Sequence, residues 1–249
     1  MRFFLTALLI ASGLGASALA QCPGDRSALG TARIIEIDAS AGLEIGTLQY
    51  PETLPLAEGE LVFTFDDGPN PTHTPAILAA LDAHCVKATF FLVGRFAERH
   101  PGLVREIHRR GHTIAHHTWS HPILSAVSHE RAVREIERGE AAINAALAEI
   151  EGARAARFFR FPGLNHTRAL RRHLAEEGVA VMSCDIGTDD WRGISAARIH
   201  AVALANIEAR GSGVIIMHDT NGRTAAALPR LLDTLAARGY RAVHMVEAG

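Results

Sequence analysis

From Leu61 onward the chain repeats one local pattern, a short apolar run followed by a polar loop and then an amphipathic stretch. Apolar runs of strand length stand at 61–65, 86–93, 112–116, 157–161, 179–184, 213–217 and 240–246. Helix-length segments separate them at 74–84, 101–110, 129–150, 167–177, 196–210 and 224–238. Ser195 and Thr167 stand at N-cap positions, and Gly178, Gly211 and Gly239 stand where helices should stop. Within 129–150, Val133, Ile136, Ile143, Leu147 and Ile150 mark a core-facing stripe. Strict strand–helix alternation predicts an α/β fold with a parallel sheet and crossover helices. With seven strands, a closed or partly closed barrel is the economical way to arrange them.

The residues ahead of this alternation read differently. Positions 30–59 hold short apolar clusters (Ile34 and Ile35, Leu43 to Ile45, Leu48 to Tyr50) with no helical period, which predicts a small strand or hairpin layer. The expected organisation is an N-terminal extension over 21–59 and a barrel over 60–249. Residues 1–20 have the pattern of a signal peptide: Arg2 supplies a positive start, the following residues an apolar stretch, and Ala18, Leu19 and Ala20 a small-x-small cleavage site. Export to the periplasm or beyond is expected, with cleavage after Ala20. Gln21 is larger than the small residue that normally precedes a lipidated cysteine, so Cys22 is not expected to carry lipid. No later segment approaches the ~20 apolar residues that a membrane span requires.

Length and composition suit one enzyme-sized domain, because 249 residues with 48% hydrophobic content can bury a single large core. A formal net charge of −2 without a long block of like charge gives no electrostatic reason to expect nucleic acid. No obligate protein partner is evident. Three cysteines leave one without a mate. Cys85 begins a predicted strand and Cys184 nears the end of another, so a parallel sheet separates them and buried free thiols are expected.

The chemistry begins where the first barrel strand stops. Thr64, Phe65, Asp66, Asp67, Gly68 and Pro69 place two adjacent carboxylates at a strand tip that Gly and Pro terminate. Side chains adjacent on a strand point to opposite faces, so both carboxylates approach one centre only if the strand end is irregular. His117 and His121 lie four residues apart. On an extended strand that separation is about 13 Å, too far for one ion, so the pair implies a metal only if the backbone coils there. His112 and His116 share the spacing but flank an apolar strand, which holds them apart. His116 adjoins His117, and spacing alone leaves either as the ligand; His117 is the expected one. Two histidines and a carboxylate form a familiar catalytic zinc set with a coordination position open to water.

Each polar cluster follows a strand. Asp66 and Asp67 follow the first, His117 and His121 the third, Arg160 closes the fourth, residues 185–191 follow the fifth, and His218 follows the sixth. All are carboxyl ends, where barrels of this class build their active sites.

These segments resemble the polysaccharide deacetylase family that includes the rhizobial nodulation deacetylase, also called carbohydrate esterase family four, over about residues 60–246. The resemblance rests on T-F-D-D-G-P at 64–69, H-[ST]-x-x-H at 117–121, Arg-x-Pro at 160–162, the Asp190-Trp191 pair and the apolar-x-His end at 216–218. It implies a distorted (β/α) barrel and metal-dependent removal of acetyl groups from N-acetylglucosamine units. It also implies that Asp67, His117 and His121 hold one divalent cation, expected to be Zn2+ with Co2+, Ni2+ or Mn2+ compatible, and that Asp66 acts as base. His218 is then the acid, Arg160 the partner of Asp66, a backbone N–H near Gly163 an oxyanion donor, and Trp191 a pocket wall or sugar-stacking face. Met217 is grouped with this substrate set.

Two departures matter. Relatives usually carry Asp four residues before the Trp, where this chain has Gly187; Asp185, Asp189 and Asp190 are the candidates to orient His218 instead. His116 stands where relatives often have Asn. The expected partner is an acetylated glycan of chitin-oligomer or peptidoglycan type. An O-acetyl esterase of xylan type and an inert carbohydrate-binding relative are the alternatives, and Asp66, Arg160 and His218 weigh against the inert one.

Overall fold

The computed structural model describes residues 28–249, so the expectations for the signal peptide and for Cys22 fall outside the described residues. In chain order the elements are β1 (Thr31–Ile37), β2 (Glu44–Ile45), β3 (Glu60–Asp66), α1 (Thr74–Ala83), β4 (Thr89–Leu92), α2 (Gly94–Arg99) and α3 (Pro101–Arg109). There follow β5 (Thr113–His116), α4 (His129–Leu147), β6 (Phe158–Phe159), α5 (Arg168–Glu176), β7 (Ala180–Met182) and β8 (Ile186–Gly187). The chain closes with α6 (Ala196–Arg210), β9 (Gly213–His218), α7 (Gly222–Ala237) and β10 (Arg241–Glu247). Every strand pairing is parallel. The wall runs β8-β9-β3-β4-β5-β6-β7, a distorted (β/α) barrel.

Strand alternation sorts the core into two layers. On β3, Leu61, Phe63 and Phe65 pack outward with Ile77, Leu81, Leu228, Leu232 and other helix residues, whereas Val62 joins Phe91, Ala115, Phe158 and Val214 in the interior. Each fully buried Leu, Ile or Phe contributes about 1.5–3 kcal/mol, so the outer layer alone fixes which face of each strand looks inward. The side chains of Ser195, Thr167 and Ser128 accept from the N–H groups of Arg198, Leu170 and Arg131, starting α6, α5 and α4 as N-caps.

The last wall strand is not the one expected. The segment at 240–246 pairs with β3 only through Arg241 and Ala242, then runs beneath the barrel, where the Thr113 hydroxyl donates to Met245 O and Arg157 N–H to the Glu247 carboxylate. The wall strand in its place is β8, two residues long, too short to leave a periodic signal in sequence. Of the strand or hairpin layer expected over 30–59, the strands form and the hairpin does not: β1 pairs with β10 and β2 with β7. β7 and β8 are not paired, and residues 46–48 fill that seam, with Leu48 N–H donating to Cys184 O. A Cβ on Gly46 would sit 2.5 Å from Cys184 N, so only glycine passes there.

Cys184 is free and buried, and burial pushes its thiol up to about 11. Cys85 corrects the expectation: it is disulfide-bonded, and it lies in the turn after α1 rather than at a strand start, since β4 begins four residues later at Thr89. Among the described residues no helix is long and apolar enough to cross a membrane.

Candidate active site

β3 ends on Asp66, and its neighbour β9 ends on His218 directly opposite it in register. Both side chains line a cavity of about 740 Å³ at the carboxyl ends of the strands, together with Asp67, His117, His121, Gly163 and Trp191. Asp67 leaves the strand at φ 78, the irregular end that lets two consecutive carboxylates share one mouth. Non-glycine residues in this left-handed region are uncommon and concentrate at functional sites. Here they include Asp67, Thr118, His121, Leu164 and Asp189, all on loops around the cavity.

The segment 117–121 is an irregular turn rather than a helical one, with Thr118 at φ 67 and His121 at φ 63. It brings the two imidazole centroids to 4.8 Å. Its backbone is clamped on both sides. Trp119 N–H donates to Glu135 O on α4, the Glu135 carboxylate accepts from Ser120 N–H and hydroxyl, and Gly94 and Arg95 N–H donate to Thr118 O and Trp119 O. The Arg138 guanidinium covers the Trp119 ring at 3.3 Å. Gly139 on α4 permits the contact, since a Cβ there would lie 2.5 Å from Thr118 C.

Asp67 Oδ1 stands 3.5 Å from His117 Nε2 and 3.1 Å from His121 Nε2, and the ligand atoms of the three residues lie within 4.8 Å of one another. Burial would raise the Asp67 pKa, but the hydrogen bond from His121 and the neighbouring imidazoles outweigh it and hold the carboxyl well below the usual range. Burial, opposed by Asp66 and Asp67, holds His117 below the ordinary histidine value. His117 Nδ1 lies 2.6 Å from Arg160 O, and a carbonyl can only accept, so the proton sits on Nδ1 and the Nε2 lone pair faces Asp67 and His121. That is the outer-shell arrangement that orients metal-ligating histidines. Two imidazole nitrogens and one carboxylate oxygen thus converge on one point, a donor set that fits a divalent cation.

His116 is the other half of the ambiguity, and strand parity separates the two. Ala115 faces the interior, so His117 does as well, while His116 points outward against Phe159 at 5.1 Å. It is fully buried with both ring nitrogens unpartnered, and burial pushes its pKa down to about 3. His112 sits at the opposite end of β5, its Nδ1 accepting from Ala88 N–H.

Arg160 is completely buried. One guanidinium nitrogen donates to Asp66 Oδ1 at 2.7 Å and to Thr64 Oγ1 at 2.8 Å, while Nε and the other nitrogen donate to Met182 O and Ser183 O. With four hydrogen bonds and the Phe91 ring at 4.1 Å, it fixes the Asp66 carboxylate in one direction. His218 Nδ1–H donates to Asp190 Oδ1 at 2.8 Å; Asp190 Oδ2 accepts from His218 N–H and from the Thr224 hydroxyl, each at 2.7 Å. Burial alone would depress the His218 pKa. The bond and charge of Asp190, with Asp66 and Asp67, outweigh burial and push it up to about 9.

A family model described as polysaccharide deacetylase matches residues 54–182. A peptidoglycan-N-acetylglucosamine deacetylase of Bacillus cereus is 34% identical over 198 residues, covering 78% of this chain and 70% of that protein. The chain belongs to the polysaccharide deacetylase family. Among further relatives, a chitooligosaccharide deacetylase of Sinorhizobium fredii is 32% identical, with 78% of this chain and 94% of that protein covered. The structure of a Bdellovibrio bacteriovorus peptidoglycan deacetylase matches with a TM-score of 0.79 at 29% identity, over 90% of this chain. This chain spans 61% of that one.

With glycine at 187, the carboxylate that holds His218 is Asp190. Asp185 is committed elsewhere, accepting from Thr47, Thr53 and Val214 N–H, and Asp189 pairs with Arg192. Gly187 lines the cavity, and an added Cβ there would meet nothing within 4 Å. Met217 does not reach the site: it points outward into the helix-packed core, and its neighbour Ile216 forms the cavity wall. Sequence reasoning missed Leu48, which the seam segment carries into the cavity; its only signal was an apolar residue two positions after Gly46. Leu48 and Trp191 are 56% and 67% exposed, an apolar rim suited to a sugar face.

Proposed function

We propose that this family member is an exported, metal-dependent hydrolase that removes N-acetyl groups from N-acetylglucosamine-containing glycans of chitin-oligomer or peptidoglycan type. The observation that carries the reading is the register of Asp66 beside His218, on adjacent strands at the mouth that also holds Asp67, His117 and His121. A proton acceptor and a proton donor stand side by side next to one metal-ligating set. A glycan-binding relative without catalysis has no use for the pair.

Asp67, His117 and His121 would hold one divalent cation; two imidazoles and a carboxylate suit Zn2+ and admit Co2+, Ni2+ or Mn2+. When bound, such a cation lowers the pKa of water and polarises the acetyl carbonyl. Asp66, aimed by Arg160, takes the proton from the attacking water. A backbone N–H near Gly163 is the proposed donor to the oxyanion, and donors of this kind contribute about 3–4 kcal/mol to a transition state. His218, protonated and steadied by Asp190, gives its proton to the departing sugar amine, so acetate and a free amine leave. Trp191 and Leu48 stack on the sugar. The names of the relatives, peptidoglycan-N-acetylglucosamine and chitooligosaccharide deacetylases, support this substrate class. The proposed organisation is a signal peptide at 1–20, an extension at 21–59 that also fills the barrel seam, and a catalytic barrel at 60–249.

Acetate release should be assayed on chitin oligomers, peptidoglycan and acetylated xylan, with and without chelator. Release from the first two that chelator abolishes is the expected result. Release from xylan alone would make the chain an O-acetyl esterase, and no release despite bound metal would make it a binder.

A further inference from the structure

A second space adjoins the metal-ligating set. This arm is a space of about 250 Å³ that shares Asp67, His121 and Thr220 with the main cavity and adds Asn70, Val93, Arg95 and Phe96. Arg95 sits on the first turn of α2, its backbone N–H tied to Trp119 O of the histidine turn. Its guanidinium lies against the Phe96 ring at 4.7 Å, and its Nε is buried with no hydrogen-bond partner. Among the described residues Arg95 forms no ion pair, although a guanidinium carries five donors. Nε itself is covered, but Arg95 is half-buried and lines the arm, and its terminal nitrogens make no hydrogen bond among the described residues, so they are the donors that a ligand there would meet.

The rest of the arm is also rich in donors. Asn70 Oδ1 is occupied by the N–H groups of Thr72 and His73, so its free polar group is the amide NH2, and Thr220 adds a hydroxyl. The only carboxylate in the arm is Asp67, which belongs to the metal-ligating set. In the main cavity Asp189 and Asp190 are each already paired, with Arg192 and His218, beside Leu48, Trp191 and Ile216.

We propose that Arg95, with Asn70 and Thr220, determines specificity by taking the carboxylate of an acidic sugar that adjoins the unit being deacetylated. The inference rests on the deacetylase reading for what occupies the main cavity, and it adds the adjoining unit: a sugar with a lactyl ether or a uronic acid. Planar, bidentate pairing with carboxylate is what arginine does better than lysine.

The test is calorimetric binding to the full chain, with acetate release measured on the same glycans. The probes are a tetrasaccharide alternating N-acetylglucosamine with the lactyl-bearing sugar, its methyl ester, and a tetrasaccharide alternating N-acetylglucosamine with glucuronate. The acid should bind about tenfold more tightly than its ester, a usual magnitude for a charge-assisted hydrogen bond. R95Q should bring that ratio to about one, and R95K should keep part of it. Preference for the lactyl or the glucuronate probe identifies the source of the carboxylate. Equal binding of acid and ester, no binding of either, or a ratio that survives in R95Q would overturn the proposal. Acid–ester discrimination without acetate release would instead sink the deacetylase reading and leave the Arg95 assignment standing.

Discussion

Replacing Asp190 with Asn should move the alkaline limb of the activity profile rather than simply abolish activity. Asp190 is buried, holds His218 through both ring and backbone, and is itself held by the Thr224 hydroxyl. The His218 pKa is raised from 6.5 to about 9, a differential interaction of about 3 kcal/mol. A raised pKa keeps the imidazolium present below 9, so an acid role for His218 is full at neutral pH and is lost as pH rises through about 9. In D190N the carboxylate charge is gone and the pKa falls back toward 6.5. At pH 7.5 the protonated fraction then drops from nearly complete to roughly one tenth, so kcat should fall about tenfold there, while the two enzymes converge near pH 5.5. Thr224→Val removes one bond to the same carboxylate and keeps its charge, and should shift the limb less. The assay is kcat for acetate release from a chitin oligomer between pH 5.5 and 10. A D190N profile depressed equally at every pH, with its limb unmoved, would refute the reasoning.

His116→Phe should keep stoichiometric metal and activity within about twofold of the parent, because His116 faces the outer core; titration calorimetry and acetate release check this, and His117→Phe should lose both. In the folded chain His116 titrates near 3 instead of 6.5, so its contribution to stability is present above 6.5 and is lost as pH falls through about 3. Thermal melts of chelated protein from pH 7 to pH 4 should therefore decline less steeply in H116F. Gly139→Ala forces a methyl group to 2.5 Å from Thr118 C and should displace the histidine turn. The expected result is about 1–3 kcal/mol of destabilisation and on the order of tenfold weaker metal binding, measured by melting and by metal titration.

The strand–helix alternation was legible because helices α1 and α3 to α7 are long enough to show a period, and the N-caps Thr167 and Ser195 and the glycines after α5, α6 and α7 agree with it. β8 and α2 were not, at two and six residues, and the role of 240–246 depends on where a strand runs after only two paired residues. The site was legible as motifs because each sits at a strand end. Its finer geometry was not. Parity along β5 decides between His116 and His117, yet Ile114, Ala115 and the histidines carry no polarity contrast that reveals which face is inward. Met217 was misplaced for a related reason: on β9 the interior positions are Ile216 and His218, so the residue next to the histidine points away. Cys85 was read as a strand residue, and its place in a turn depends on where α1 ends. The partner of His218 required a loop conformation, with Asp189 at φ 56 turning Asp190 toward the ring.

The central claim is that Asp67, His117 and His121 hold one cation on which hydrolysis depends. Chelator-stripped protein should be titrated with Zn2+ while acetate release from a chitin oligomer is followed. Release should be absent at first, climb in proportion to added metal, and level off at one equivalent per chain, with H117A and H121A failing to respond at the same concentrations. Full release before any metal is added, or an unchanged titration in both variants, would contradict it.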